Sequence, residues 1–216
     1  MARVIELHKS VTESNDRDAD RLREELRERG LLLINLMSSP GSGKTTLLSR
    51  TITDLKDEVP IAVLEADIES DVDAVKIEAL GAKSVQVHTD GMCHMDAGMT
   101  RAGLDGMELS DTKIAFLENV GNLICPAEFD TGAHKNVMIL SVPEGDDKPL
   151  KYPLMFSMCD ALVITKMDTL SYFTFDIDKC TDHVKKLNPD IRIFPVSAKT
   201  GEGMDEWEKY LKEEMI

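Results

Sequence analysis

Short apolar runs alternate with longer amphipathic stretches along the chain, and their order predicts the architecture. Leu31 to Met37, Ile61 to Ala66, Ser84 to His88, Lys113 to Leu117, Val137 to Val142, Ala161 to Thr165 and Ile191 to Val196 read as buried strands. Pro60, Asp67 and Gly81 punctuate them. Apolar positions at helical spacing predict helices at Leu47 to Leu55, before Leu80, around Asp176 to Leu187 and at Met204 to Leu211. Residues 10 to 29 carry Val11, Ala19, Leu22 and Leu26 in a charged background, which predicts a polar amphipathic helix ending at Gly30. The stretch Met92 to Met107 also reads as helical, its methionines serving as helix core or as a repackable interface. Glu118 to Pro126 reads as an irregular passage.

Strands alternating with helices predict an α/β fold, a mostly parallel sheet with helices on both faces and ligands at the carboxyl ends of the strands. One domain accounts for the length. Residues 1–30 form an N-terminal helix packed on its outside, and 31–216 form the nucleotide-binding domain, with a metal site in loops beside the phosphate sensor.

Between the first strand and the next helix lies Ser38-Ser39-Pro40-Gly41-Ser42-Gly43-Lys44-Thr45-Thr46, a phosphate loop of the P-loop NTPase type. Gly41, Ser42 and Gly43 turn backbone N–H groups toward phosphate oxygens, and the new helix adds the positive end of its dipole. Lys44 reaches the β/γ-phosphates, and Thr45, followed by Thr46, offers its hydroxyl to magnesium. The pattern departs at its first position, where Ser38 stands for glycine.

Catalysis also needs an acid near the metal ion and a group that positions water. Glu118 ends a strand three residues before Gly121, where GTPases usually carry aspartate and a glycine N–H that contacts the γ-phosphate. Its extra methylene suggests a water-mediated contact with the ion. Asp67 and Asp73 follow the second strand; either binds magnesium, orients water, or is a solvated surface acid. Thr165-Lys166-Met167-Asp168 resembles the guanine-specificity motif with threonine in place of asparagine. Asp168 can accept two hydrogen bonds from guanine that adenine cannot donate, and leaving such groups unpaired rejects the wrong base. Ser197-Ala198-Lys199 resembles the second guanine loop, so GTP is the expected nucleotide.

Charge narrows the partners. A net charge of −15 without a clustered basic face argues against nucleic acid. No segment approaches the ~20 apolar residues that span a bilayer, so a soluble cytoplasmic protein is expected. Four cysteines do not make a disulfide framework in a chain this long. Cys93-His94 and Cys125 fall in loops that this topology can bring together, and two thiolates with an imidazole suit Ni2+ or Zn2+. A buried cysteine and an ordinary loop histidine fit the same residues. Asp96 could add an oxygen or orient a ligand, and His134 is a further, distant candidate. Cys159 and Cys180 read as packing residues, and His8, His88 and His183 as ordinary.

The phosphate loop, the run Glu118-Asn119-Val120-Gly121-Asn122-Leu123-Ile124-Cys125-Pro126 and Glu144-Gly145-Asp146-Asp147-Lys148 together resemble HypB, the nickel-incorporation GTPase family of hydrogenase maturation. The resemblance covers the chain from about residue 10 onward, and the middle run is far more specific than the phosphate loop. It implies a SIMIBI-class GTPase, slow without a partner, that dimerises and helps load nickel into the large subunit of nickel-iron hydrogenase alongside other maturation proteins. It also implies that Cys93, His94 and Cys125 are the nickel- or zinc-binding site near the homodimer interface, and that Lys151 can reach across to the partner's guanine. The N-terminus lacks the cysteine-rich and histidine-rich nickel motifs of some family members, so no separate storage role is expected. A urease-type nickel GTPase fits less well because its cysteine-proline-histidine ligand pattern is absent. A cobalamin-enzyme chaperone gives no reason for these cysteines. A metal-binding sensor module with incidental turnover stays open, and nucleotide-dependent metal affinity separates it from a switch.

Overall fold

The computed structural model describes residues 7–67, 72–89 and 91–216, without the side chains of 7–12, 67 and 72–75. Strand β1 (Leu32–Ser38) runs through the middle of the molecule with every side chain buried. Its alternate positions feed opposite layers, Leu32, Ile34 and Leu36 into one and Leu33 and Met37 into the other. The phosphate loop leads into α2 (Lys44–Leu55), then β2 (Ile61–Asp67), α3 (Val72–Ala79), β3 (Lys83–His88), α4 (Ala97–Asp105), β4 (Ile114–Glu118) and β5 (Lys135–Ser141). Two short helices follow, α5 (Lys148–Lys151) and α6 (Pro153–Ser157), then β6 (Ala161–Thr165), α7 (Ile177–Leu187), β7 (Arg192–Pro195) and α8 (Met204–Glu213). The N-terminal helix α1 spans Leu7–Glu28.

The seven strands form one sheet in the order β3-β2-β4-β1-β5-β6-β7, and every pairing is parallel. Burial on both faces explains why β1, β4 and β6 read as continuous apolar runs rather than alternating ones. On one face α2 and α8 pack Leu47, Leu48, Ile52, Trp207 and Leu211 against Ile34, Phe116 and Val163. On the other, α1 and α4 contribute Leu22, Leu26 and Leu104, while α6 and α7 contribute Met155, Phe156 and Val184. Helix α1 is fastened to its neighbours by Arg23, whose Nη2 meets both Asp130 oxygens at 2.7 Å, and by an Arg101–Glu25 pair at 2.7 Å.

Three sequence expectations shift. The sheet is wholly parallel among the described residues, and strand ends move by a residue or two. The helix expected over Met92 to Met107 is confined to α4. Residues 91–96 form a loop, because Met92 N–H closes a turn onto Thr89 O at 3.0 Å and Asp96 caps α4 by accepting from Met99 N–H at 2.8 Å. Met95 is fully buried, with Met99 and Met107 against the same cluster, so these methionines are core. No described helix is long and apolar enough to cross a membrane.

Candidate nucleotide site and metal centre

The phosphate loop turns at Gly43, whose φ of 99° only glycine adopts without strain, and α2 begins at Lys44. Ser38 is the last residue of extended β1, so its position makes no demand for glycine. Its hydroxyl accepts from Lys44 Nζ at 2.8 Å. Ser39 Oγ donates to Glu144, whose other oxygen accepts from Ser141 N–H at 2.8 Å; the Glu144 run thus braces the loop. Thr45 Oγ1 donates to Glu118 Oε1 at 3.0 Å, bringing together a hydroxyl and a carboxylate, hard donors that suit Mg2+. A Cβ on Gly121 would lie 3.1 Å from the Pro40 nitrogen, closer than side-chain carbons usually come, so this loop sits tightly against the phosphate loop.

Pro40, Lys44, Thr45, Glu118 and Gly121 line a cleft of about 620 Å³. Glu65 and Asn119, which the sequence reading passed over, line it too; Glu65 is an acid in the apolar run of β2 and is only 4% exposed. An acid inside an otherwise buried strand was the available signal. Asp67 ends β2 and Asp73 lies in the first turn of α3, but their side chains lie outside those described.

A second pocket of about 230 Å³ adjoins the first at Gly43 and Thr46, lined by Thr165, Lys166, Asp168, Ala198 and Lys199. Thr165 Oγ1 donates to Ser42 O at 2.6 Å and Lys166 Nζ to Gly41 O at 2.7 Å, so the base loop is hydrogen-bonded to the phosphate loop. A hydroxyl at Thr165 supplies the donor that an asparagine amide could supply, which accounts for the departure from the motif. Ser197 Oγ donates to Asp168 Oδ1 at 2.8 Å, and Lys199 Nζ stands 3.9 Å from the other oxygen. Lys151 is not part of either pocket; it pairs with Asp147 at 2.5 Å on the surface.

Cys93, His94 and Cys125 converge, with one donor atom from each within 4.8 Å of the others. Bonds of about 2.3 Å to sulfur and about 2.0 Å to nitrogen place the corners of a tetrahedral site ~3.5 to 4 Å apart. A small contraction therefore closes these three donors on one ion, with a fourth position open. Cys93 is exposed, and the neighbouring Cys125 thiol raises its pKa ahead of burial. Burial lowers the pKa of His94 against the pull of Asp96 and Glu128, which favours the neutral, ligating imidazole. Phe129 stacks on that ring at 3.8 Å between centroids and fixes its plane.

Asp96 and His134 are employed elsewhere. Asp96 is the α4 cap. His134 accepts from Leu33 N–H at Nδ1 (3.0 Å) and donates from Nε2 to Arg23 O (3.0 Å), leaving neither nitrogen for a metal. Cys159 and Cys180 are buried packing residues.

Comparison with known proteins now bears on this arrangement. Residues 32–195 match the family model described as CobW/HypB/UreG, nucleotide-binding domain. The chain is 47% identical over 210 residues to the hydrogenase maturation factor HypB of Escherichia coli K12, covering 97% of this chain and 72% of that protein. The crystal structure of HypB from Archaeoglobus fulgidus superposes with a TM-score of 0.86 at 38% identity, over 93% of this chain and 98% of that one. HypB from Helicobacter pylori in complex with nickel gives 0.88 at 38%, over 93% and 94%. A phosphate loop, a guanine-type base pocket and a cysteine-histidine trio on one P-loop sheet agree with this likeness, and the chain belongs to the HypB family of hydrogenase maturation GTPases.

Proposed function

We propose that this protein hydrolyses GTP and uses the nucleotide state to control a nickel site, serving the insertion of nickel into the large subunit of nickel-iron hydrogenase. The observation that carries the coupling is continuity of chain. Gly121, packed against Pro40 of the phosphate loop, stands four residues before Cys125, a member of the metal trio. A displacement at the γ-phosphate therefore has a short covalent path to the metal.

In this reading Gly41, Ser42, Gly43 and Thr46 hold the phosphates, and Lys44 neutralises charge that develops as water attacks the γ-phosphorus in line. Thr45, Glu118 through water, and Asp67 or Asp73 would hold Mg2+, which would supply positive charge beside the phosphates. Gly121 N–H senses the γ-phosphate. Thr165, Lys166, Asp168, Ser197, Ala198 and Lys199 form the guanine site, Asp168 accepting from the base. Cys93, His94 and Cys125 take Ni2+ as cargo, and Zn2+ satisfies the same donors.

A homodimer completes the picture, with Lys151 exchanging Asp147 for the partner's nucleotide. Residues 31–216 act as the GTPase unit, with the N-terminal helix as its brace. Free thiols fit a reducing cytoplasm. The test is nickel and zinc affinity with GDP and with a non-hydrolysable GTP analogue, oligomeric state being followed in the same samples. Nucleotide-dependent affinity that Cys125→Ala abolishes supports the switch; equal affinity in both states overturns the coupling.

A further inference from the structure

Two asparagines in the run after β4 grip the loop that carries Cys93, and they differ in how firmly they are held. Asn119 is 1% exposed. Its Oδ1 accepts from Met95 N–H at 3.2 Å and Val120 N–H at 2.9 Å, and its Nδ2 donates to Asn35 Oδ1 at 3.0 Å in β1. That end of the run is anchored in the sheet. Three residues on, Asn122 is half-buried and directly follows Gly121. Its Oδ1 accepts from Ile124 N–H at 2.9 Å, shaping the turn that delivers Cys125, and its Nδ2 donates to the Cys93 carbonyl at 3.4 Å. One carboxamide thus spans the two loops that supply the thiols, attached to the residue pressed against the phosphate loop.

We infer that Asn122 is the positioning residue that converts the place of Gly121 into the separation of Cys93 and Cys125. The inference rests on the nucleotide-coupled reading of the metal site and names the side chain that transmits it. The anchored Asn119 holds Met95 in place, so a shift of the Gly121 peptide swings Asn122 about a fixed point. The swing acts on both thiol loops at once, through the Cys93 carbonyl and through the Ile124 amide. The long contact to Cys93 O is weak enough to be made in one nucleotide state and lost in the other, which a buried, short bond would resist. A two-state contact of this kind is what a coupling between sites requires.

Two substitutions separate the contacts. Asn122→Ala removes both, whereas Asn122→Asp keeps the acceptor for Ile124 N–H and loses the donor to Cys93 O. The quantity to measure is the ratio of Ni2+ dissociation constants with GDP and with a non-hydrolysable GTP analogue. Asn122→Ala adds no charge and so controls for that of the aspartate. A second readout needs no metal: the alkylation rate of Cys93 and Cys125 in the two nucleotide states, against a low background because Cys159 and Cys180 are buried. In the parent protein both readouts are expected to differ between states by at least about fivefold. Both variants should bring the ratios to near one while nucleotide affinity stays within about twofold. A parent ratio of one overturns the coupled reading itself. A parent ratio far from one that Asn122→Asp leaves intact overturns the role of Asn122 alone, as does loss of nickel in both states by both variants.

Discussion

The nucleotide cradle and the thiol-imidazole trio sit at the same end of one sheet and are built on opposite plans. In the cradle, backbone and side chains are tied to one another: Thr165 to Ser42 at 2.6 Å, Lys166 to Gly41 at 2.7 Å, Lys44 to Ser38 at 2.8 Å. The trio has an exposed cysteine, donor atoms within 4.8 Å of one another and a 3.4 Å bridge between its loops. A preorganised cradle loses little entropy on binding and so can bind tightly and orient a reaction. A loosely held trio can exchange its ion. Chemistry and cargo are thereby kept on separate supports with one short connection, Gly121 to Cys125.

The most severe way to break the comparison is to disable the cradle alone. Lys44→Ala removes the cation that faces the phosphates and should lower GTP turnover by at least about 100-fold, measured as phosphate release. Because the trio does not lean on Lys44, nucleotide-free metal binding should persist; its loss would mean that the two regions are not separately supported. The reciprocal change, Cys125→Ala, leaves two protein donors and should weaken nickel binding by more than about tenfold while GTP hydrolysis changes only severalfold. Equilibrium dialysis and turnover on the same preparation check both halves.

The comparison sharpens within one residue type. Cys159 and Cys180 are buried in the layer beneath α6 and α7, and burial pushes the Cys180 thiol up to about 12 and raises Cys159 further. Thiolates are the reactive form, so alkylation at neutral pH should modify Cys93 and Cys125 and spare the other two until the protein unfolds. Peptide mass mapping reads the outcome, and early labelling of Cys180 would contradict the packing.

Much of this was legible in the chain because the signals are local. Strand β6 begins and ends where its apolar run does, and Asp176 caps α7 where the periodicity starts. The phosphate loop and the Thr165 run announce themselves by spacing. What the sequence hides is set by contacts distant along the chain. The loop before α4 looked helical because its methionines break no periodicity, while the Asn119 hydrogen bond that holds Met95 joins positions 24 residues apart. His134 looked like a spare ligand near Cys125, yet both of its nitrogens serve backbone on β1 and α1. Glu65 and Arg50 were passed over because a single charge in an apolar or amphipathic run shows what it faces only once the neighbouring element is known.

Arg50, beneath the cradle, leads to the smallest expected effect. Its guanidinium lies beneath the second guanine loop, with Nη1 3.4 Å from Ala198 O and Nε 2.5 Å from Asp54 on the same helix. Glu208 of α8 faces the same pair. Burial first, then hydrogen bonding and charge from Asp54, raise its carboxyl to about 7, against the opposing pull of Arg50 and Lys212. Between the ordinary glutamate value of 4.5 and about 7 the folded protein keeps a proton that the unfolded chain has released. Stability therefore falls as pH rises through that window, and the penalty is complete above it. Glu208→Gln removes the titration. Discounted for solvent screening, the variant should be about 1 kcal/mol more stable than the parent at pH 8 and equal to it near pH 4.5, a melting difference of roughly 2 to 4 °C that closes on acidification. If the difference is the same at both pH values, the Asp54–Glu208 pair does not hold the proton.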